Sequence, residues 1–254
     1  MSGPLPLSLC VITRDAAGLI ADCLASAAFA AEIVVVDSGS RDDTVEIARR
    51  SGARVIERDW SGFGAQKNFA VGEAAHDWVL CLDADERVTP ELAAAIAAVV
   101  SSPRAAAYAM ARRNRFLGRW LTHGEGYPDW NVRLFDRRRA RWTQDPVHEH
   151  VVADGPVARL EGDLLHASAE SLDAYMTKQN RYTTLQAEAM HARGECAGVA
   201  RLVLSPLVRF VRFYIVKLGF LDGVAGLVHI VIGCHNSFMK YAKLRALNAE
   251  QARR

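Results

Sequence analysis

The sequence predicts an α/β domain with an open, mostly parallel sheet and helices on both faces. A helical C-terminal region, apolar and basic at once, follows it. Three observations predict this. Through the first hundred residues, short apolar runs alternate with longer helix-like segments, the order that builds parallel sheets. The runs are apolar throughout rather than at every second residue, as in strands buried on both faces. From Val199 onward the alternation stops, and apolar and basic residues mix.

The elements follow in order. Leu7–Thr13 reads as the first strand, and the Ala-rich stretch Ala16–Ala30 as a helix. Glu32–Asp37 is the second strand. Asp42, Asp43 and Thr44 open a helix through Arg50, with carboxylates at its positive end. Gly52 ends that helix, and Ala53–Glu57 is the third strand. Gly64–Ala75 is helical, and Trp78–Leu82 is the fourth strand. Thr89, Pro90 and Glu91 start another helix, with Thr as N-cap and Pro in the first turn. Ala105–Ala111 fits one more strand, and residues 112–165 fit antiparallel ribbons and loops. Ser171–Ala192 is helical, and the Gly194–Gly198 stretch breaks it.

A chain of 254 residues, half of them hydrophobic and 24% charged, can bury a sizeable core. It is neither disordered nor fibrous. No apolar run reaches the length of an ordinary membrane span, and no basic region precedes the short apolar run at the N-terminus, so no secretory signal is expected. Five cysteines without a CxxC pair suggest a reduced, cytosolic protein. The net charge of +2 hides an asymmetry. Residues 201–254 carry nine Lys or Arg against two Asp or Glu, a net of +7; residues 1–200 carry 22 against 27, a net of −5. A basic tail on an acidic body suits nucleic acid or an anionic membrane.

In a parallel sheet, ligands bind outside the carboxyl ends of the strands. All four predicted ends are polar: Thr13-Arg14-Asp15, Asp37-Ser38-Gly39-Ser40, the segment Trp60–Asn68, and Asp83-Ala84-Asp85-Glu86. Asp83 and Asp85, two residues apart in a turn, can serve one hard cation such as Mg²⁺ or Mn²⁺ that also holds phosphate. Gly62-x-Gly64-x-x-Lys67 can offer backbone N–H groups and a cation to phosphate. No GxGxxG follows the first strand and no GxxxxGK[ST] occurs anywhere, so neither a Rossmann dinucleotide site nor a P-loop is supported.

TRDA after the first strand, VVVDSGSRDDT at the second, GFGAQKN, and LDADE at the fourth resemble family 2 glycosyltransferases, which have the GT-A fold and use nucleotide-sugar donors. Arg133–Phe135, Pro146–His150, a Tyr-containing helix at 175–190 and Tyr214–Gly226 resemble a narrower branch, the lipopolysaccharide-core glucosyltransferases. With these the resemblance covers nearly the whole chain. Arg14-Asp15 stands where that family often has Asn-Glu, and the QxxRW motif of processive synthases is absent, which argues for one sugar per encounter.

The resemblance implies a GT-A domain over 1–170, with a donor half at 1–103 and an acceptor half at 104–170, and a helical region at 171–254. Thr13, Asp15 and Asp37 would line the pocket for the nucleoside of a UDP-hexose. Lys67 and Gln66 would meet the donor's charge, and Arg133 its diphosphate or an acidic acceptor. Asp83 and Asp85 would hold the sugar and the metal-bound diphosphate. Inverting transfer also needs a base; Glu149 is the first candidate and Asp145 the second. His148, His150 and His166 are possible metal or phosphate ligands, each alone more often a structural histidine.

The expected acceptor is a lipid-linked saccharide, lipopolysaccharide inner core by resemblance, at the inner face of the cytoplasmic membrane. In Leu202–Lys217, Arg209, Arg212 and Lys217 interrupt apolar residues, a pattern suited to anionic lipid; nucleic acid is not an expected partner. Gly223–Met239 is short for a span and fits a core helix or a homo-oligomer interface. Arg137–Arg141 reads as a solvated turn. The other readings are a transferase acting on polyprenyl phosphate and a catalytically silent membrane scaffold.

Overall fold

The computed structural model describes residues 3–144, 149–167 and 171–251. The chain folds into two compact units: Met1–Arg113 with Asp129–Ala167, and Asn114–Pro128 with Ser168–Arg254.

The first unit opens with β1 (Leu5–Thr13), α1 (Ile20–Ser26), β2 (Ala30–Asp37), α2 (Thr44–Arg50), β3 (Arg54–Glu57), α3 (Phe63–Gly72) and β4 (Trp78–Asp83). Then come β5 (Glu86–Val88), α4 (Pro90–Ser101) and β6 (Ala107–Phe116). After β7 (Arg119–Trp120) follow β8 (Asp129–Asp136), β9 (Ala140–Trp142), β10 (Val151–Ala153) and β11 (Val157–His166). The main sheet runs β3-β2-β1-β4-β8-β6-β11-β5, and β9 and β10 form a separate hairpin. The first four strands in that order are parallel, as the alternating sequence predicts. β8 joins β4 antiparallel, β6 joins β8 antiparallel, and β5 joins β11 antiparallel.

The unbroken apolar runs have a direct structural reason. Along β1, Leu7, Leu9 and Val11 point to a core shared with α1 and α4, whereas Cys10 and Ile12 point to a second core with α3 and Trp142. Val35 and Leu80 follow the first set; Val34, Val36, Val79 and Cys81 follow the second. Successive side chains alternate between faces, and both faces are covered, so nearly every central position is apolar; the buried Ser8 donates to Glu32 on β2.

Two elements differ from the sequence expectation. The helix expected over Ala16–Ala30 is only Ile20–Ser26. The amides of Ala16 and Ala17 bond to Thr44 Oγ1 and an Asp42 carboxylate oxygen at 2.7 and 3.0 Å, which holds that stretch as a loop. β5, three residues long, was not anticipated. Thr89 caps α4 as expected, accepting from the Leu92 amide at 3.3 Å.

The chain order places a reversal beside β1. β1, β2 and β3 progress in one direction, and β4 returns to the other side of β1. Such a switch point opens a crevice at the carboxyl ends of the strands, where Thr13 pairs with Asp37 and Asp83 pairs with the neighbouring Ile12.

In the second unit, Ser171 caps α5 (Leu172–Ala192) through the Ala174 amide, 3.1 Å away. α6 (Val199–Phe210) continues into a π-helical turn, Val211–Val216; a short 3₁₀ turn, Gly219–Asp222, leads into α7 (Gly223–Gln251). Its small core contains Ala187, Met190, Ala197, Tyr241 and Leu244. The buried Asp222 carboxylate accepts from the amides of Thr122 and His123 at 2.8–3.1 Å and from the Thr122 hydroxyl at 2.9 Å, which anchors the 114–128 segment. α6 buries no residue. Among the described residues no single helix is long and apolar enough to cross a membrane.

Candidate active site

Two clusters occupy the crevice end of the first unit. The loops after β1 and β2 make the first. Asp37, 1% exposed, accepts from the amides of Gly39 and Ser40 at 2.9 and 2.8 Å and from the Ser40 hydroxyl. Gly39 takes φ +85°, which a residue with a Cβ rarely adopts. Ser40 Oγ accepts from the Asp15 amide at 2.8 Å, and Asp15 Oδ1 accepts from the Arg41 amide at 2.7 Å. Thr13 faces Asp37 across the β1–β2 ladder. Its buried hydroxyl has no partner among the described residues. A buried hydroxyl of that kind suits a ligand, and it sits where the nucleoside pocket is expected.

The second cluster is a chain of opposite charges. Lys67, on α3, is 5% exposed and reaches two carboxylates, Asp83 Oδ1 at 3.0 Å and Glu149 Oε1 at 3.1 Å. Arg133, on β8 and 4% exposed, places one Nη2 atom 2.6 Å from Asp83 Oδ2 and 2.6 Å from Glu86 Oε1. The other Glu86 oxygen accepts from the Asp83 amide at 3.0 Å. Arg112 stands 3.5 Å from Glu86 and 2.7 Å from Asp129. Burial alone would raise the Asp83 carboxyl; the Arg133 guanidinium and Lys67 ammonium outweigh it and hold Asp83 well below the usual carboxylate range. Burial opposes the charge of Arg133, yet Asp83 and Glu86 keep the guanidinium above its ordinary value. Asp83 and Arg133 are therefore ionised at neutral pH.

Asp85 lies apart from this chain. Its Oδ2 is 3.1 Å from His166 Nε2, at the end of β11. Burial pushes the Asp85 carboxyl up, and the His166 bond and charge pull it to a net decrease. Asp83 and Asp85 therefore face different partners, although two residues separate them. Both Asp83 oxygens are engaged by cations. A divalent metal would be held by Asp85 with His166, an oxygen and an imidazole donor, more readily than by Asp83. Among the described residues no three acids, histidines or cysteines gather at one point.

Of the expected site residues, Thr13, Asp15 and Asp37 lie together, and Glu149, Lys67, Asp83 and Arg133 follow one another in a chain of ion pairs. Gln66 belongs to neither group. It is fully buried and donates to Ser38 Oγ at 3.1 Å and to the Arg58 carbonyl at 3.3 Å, tying the loop after β2, beside Asp37, to the loop after β3. Asp145 and His148 lie outside the described residues. His150 pairs with Thr143, its amide donating to the hydroxyl at 3.1 Å. Sequence reasoning missed Glu86, Arg112 and Trp142. Glu86 had a signal, as the third acid of Asp83-Ala84-Asp85-Glu86; Trp142 had none, because its partners come from α3 and β8.

Comparison with known proteins gives a consistent picture. Residues 8–153 match the family model for "Glycosyl transferase family 2". The chain is 30% identical to the lipopolysaccharide core biosynthesis glycosyltransferase LpsC of Rhizobium meliloti, over 98% of this chain and 95% of that one. It is also 30% identical to the uncharacterized glycosyltransferase RP128 of Rickettsia prowazekii, over 95% of this chain and 87% of the relative. Among solved structures, S. aureus TarS 1–349 in complex with UDP-GlcNAc aligns with a TM-score of 0.49 at 15% identity, covering 97% of this chain and 91% of that one.

Proposed function

The chain belongs to glycosyltransferase family 2, and we propose that it moves one hexose from a UDP-linked donor to a lipid-anchored saccharide, with inversion. The observation that carries the proposal is Lys67 bridging Asp83 and Glu149 at 3.0 and 3.1 Å. It sets a buried cation beside a carboxylate that can accept a proton. In the reaction, an acceptor hydroxyl oxygen bonds to the anomeric carbon while the bond from that carbon to the diphosphate oxygen breaks. Glu149 takes the hydroxyl proton, and UDP leaves with the bonding pair. Lys67 and Arg133 meet the charge that develops on the diphosphate. A donor diphosphate competes with Glu149 for Lys67, so donor binding frees the carboxylate to act as base.

A divalent cation, Mg²⁺ or Mn²⁺, would be held by Asp85 with His166 beside it; when bound, it neutralises diphosphate charge. The identity to LpsC over nearly the whole chain supports a lipopolysaccharide-core acceptor. The second unit supports a peripheral place on the inner face of the cytoplasmic membrane. Val203, Leu204, Leu207, Val208, Val211 and Val216 are all about half exposed or more, beside the exposed Arg212 and Lys217. Singly exposed apolar residues are ordinary, but a contiguous set marks a contact surface.

The test is a screen of UDP-sugars for hydrolysis and transfer with Mg²⁺, Mn²⁺ or chelator, run beside Glu149→Gln. That substitution keeps the size and removes the base. UDP affinity should persist while transfer falls by roughly 10²–10⁴-fold. Loss of UDP binding by this variant would make Glu149 a donor-site residue instead.

A further inference from the structure

The two cations of the charge chain share one aromatic floor. Lys67 Nζ lies 4.4 Å from the centroid of the Trp142 ring, and the Arg133 guanidinium carbon lies 5.6 Å from it. Trp142 is 3% exposed. Both cations are almost out of water, so each has lost hydration and gains strongly from a ring face, whose quadrupole attracts positive charge. Two like charges in one dry site also repel each other; a neutral ring holds both without adding a carboxylate that would compete with an anionic ligand.

The ring is fixed from two sides. Asn68, the residue after Lys67, accepts from the Trp142 amide at 3.0 Å and donates to the Trp142 carbonyl at 2.8 Å. This double bond pair ties β9 to α3 next to the lysine. Phe135 packs edge-on against the indole at 6.4 Å between centroids. The Trp142 backbone is thus held by the residue next to Lys67, and its indole packs against Phe135 while facing both cations.

We propose that Trp142 is a positioning residue of the donor site, holding Lys67 and Arg133 at the spacing that receives the donor diphosphate. The diphosphate role rests on the transferase reading above; the placement of Lys67 over the ring does not.

The experiment uses the full chain with Trp142→Phe, Trp142→Leu and the comparison variant Phe135→Leu, which thins the same core and removes the ring's edge-on neighbour but keeps the ring itself beside both cations, so its effect should be the smaller one. In the wild type, the NMR signals of the Lys67 side chain should be displaced upfield by the ring current. The displacement should persist in Trp142→Phe and vanish in Trp142→Leu. By calorimetry with UDP, Trp142→Leu should raise the Kd about tenfold, about 1.4 kcal/mol. Trp142→Phe should stay within about twofold of the wild type. In the Lys67→Met background most of the Trp142→Leu effect should disappear, because coupled residues do not add.

In steady-state kinetics Trp142→Leu should raise the donor KM and leave the acceptor KM unchanged, a split that loss of folding stability does not produce. The proposal is overturned if Phe135→Leu weakens UDP binding as much as Trp142→Leu does, if Trp142→Leu binds UDP normally, or if the Lys67 signals are undisplaced in the wild type. Wild-type protein that binds no UDP but shows displaced Lys67 signals would refute the donor reading and keep Trp142 as the lysine's support.

Discussion

Asp83 is the residue on which the buried charge chain turns, and its partners explain why an acid sits there. Its two oxygens receive Lys67 and Arg133, and its amide is received by Glu86. Glu86 is fully buried and also faces Arg112. Removing one member of a buried ion network leaves the others uncompensated, at a cost of about 3–5 kcal/mol. Glu86→Gln keeps the volume and the bond from the Asp83 amide but drops the charge. It should lower the thermal midpoint by roughly 6–20 °C, using the usual 2–4 °C per kcal/mol for a chain of this size; a midpoint within a degree or two of the wild type would show that Asp83 alone satisfies Arg133. Sequence reading reached Asp83 and Lys67 because they stand among polar residues that follow the predicted strands, whereas Glu149 and the donor role of Arg133 came from the resemblance to family 2 glycosyltransferases. It did not reach Trp142 or Arg112, whose roles depend on contacts between elements far apart in the chain, which local patterning does not encode.

At the scale of elements, legibility follows how local the determinants are. β1, β2 and β4 are covered on both faces, so their central residues are mostly apolar, interrupted by the Ser8–Glu32 pair, and the sequence shows them directly. The Thr89-Pro90 start of α4 is equally local. α1 was overestimated because Ala16–Leu19 has helical composition, but its first amides are taken by Asp42 and Thr44 from the next loop. β5 escaped because three residues carry no period.

In the second unit, α7 carries His229, whose ring lies against Phe116 at 5.1 Å and near Tyr175 at 6.3 Å. Burial, then the charge of Arg209, lowers its pKa to about 4, against a smaller opposing effect of Asp222. In the unfolded chain the ring titrates near 6.5. Between these values the unfolded state binds the proton and the folded state does not, so stability rises with pH through that window. The stabilisation is complete above about pH 6.5 and is lost as pH falls toward 4, at up to about 1.4 kcal/mol per pH unit. Replacing His229 with Phe should flatten the stability curve, by denaturant unfolding, between those pH values. An unchanged slope would assign the acid sensitivity to other groups.

On the scale of the whole molecule, the charge asymmetry read from the sequence needs to be set against where its charges point. Arg209 was expected among the lipid-facing cations. Instead its guanidinium pairs with Glu125 and donates to Ser237 Oγ at 3.1 Å, so it is spent inside the second unit. Burial also lowers its pKa. Arg212 and Lys217 are exposed, in the π-helical turn and just after it, among Val211, Ile215 and Val216, each half exposed or more. These are the charges to test. Each basic group near an anionic surface contributes about 1 kcal/mol, so Arg212→Gln with Lys217→Gln should weaken sedimentation with anionic liposomes by about 30-fold at low salt. Salt near 0.15 M should shrink that difference, since charges are screened over about 8 Å there. Val208→Ser with Val211→Ser should weaken binding to anionic and neutral liposomes alike, because it removes apolar area and leaves the charge intact. Hydrolysis of a soluble UDP-sugar should be unchanged in both variants, for neither touches Lys67, Asp83, Arg133 or Glu149. If the serine variant instead alters the mass measured by light scattering while liposome binding persists, the apolar face joins two copies of the chain and the lipid reading fails.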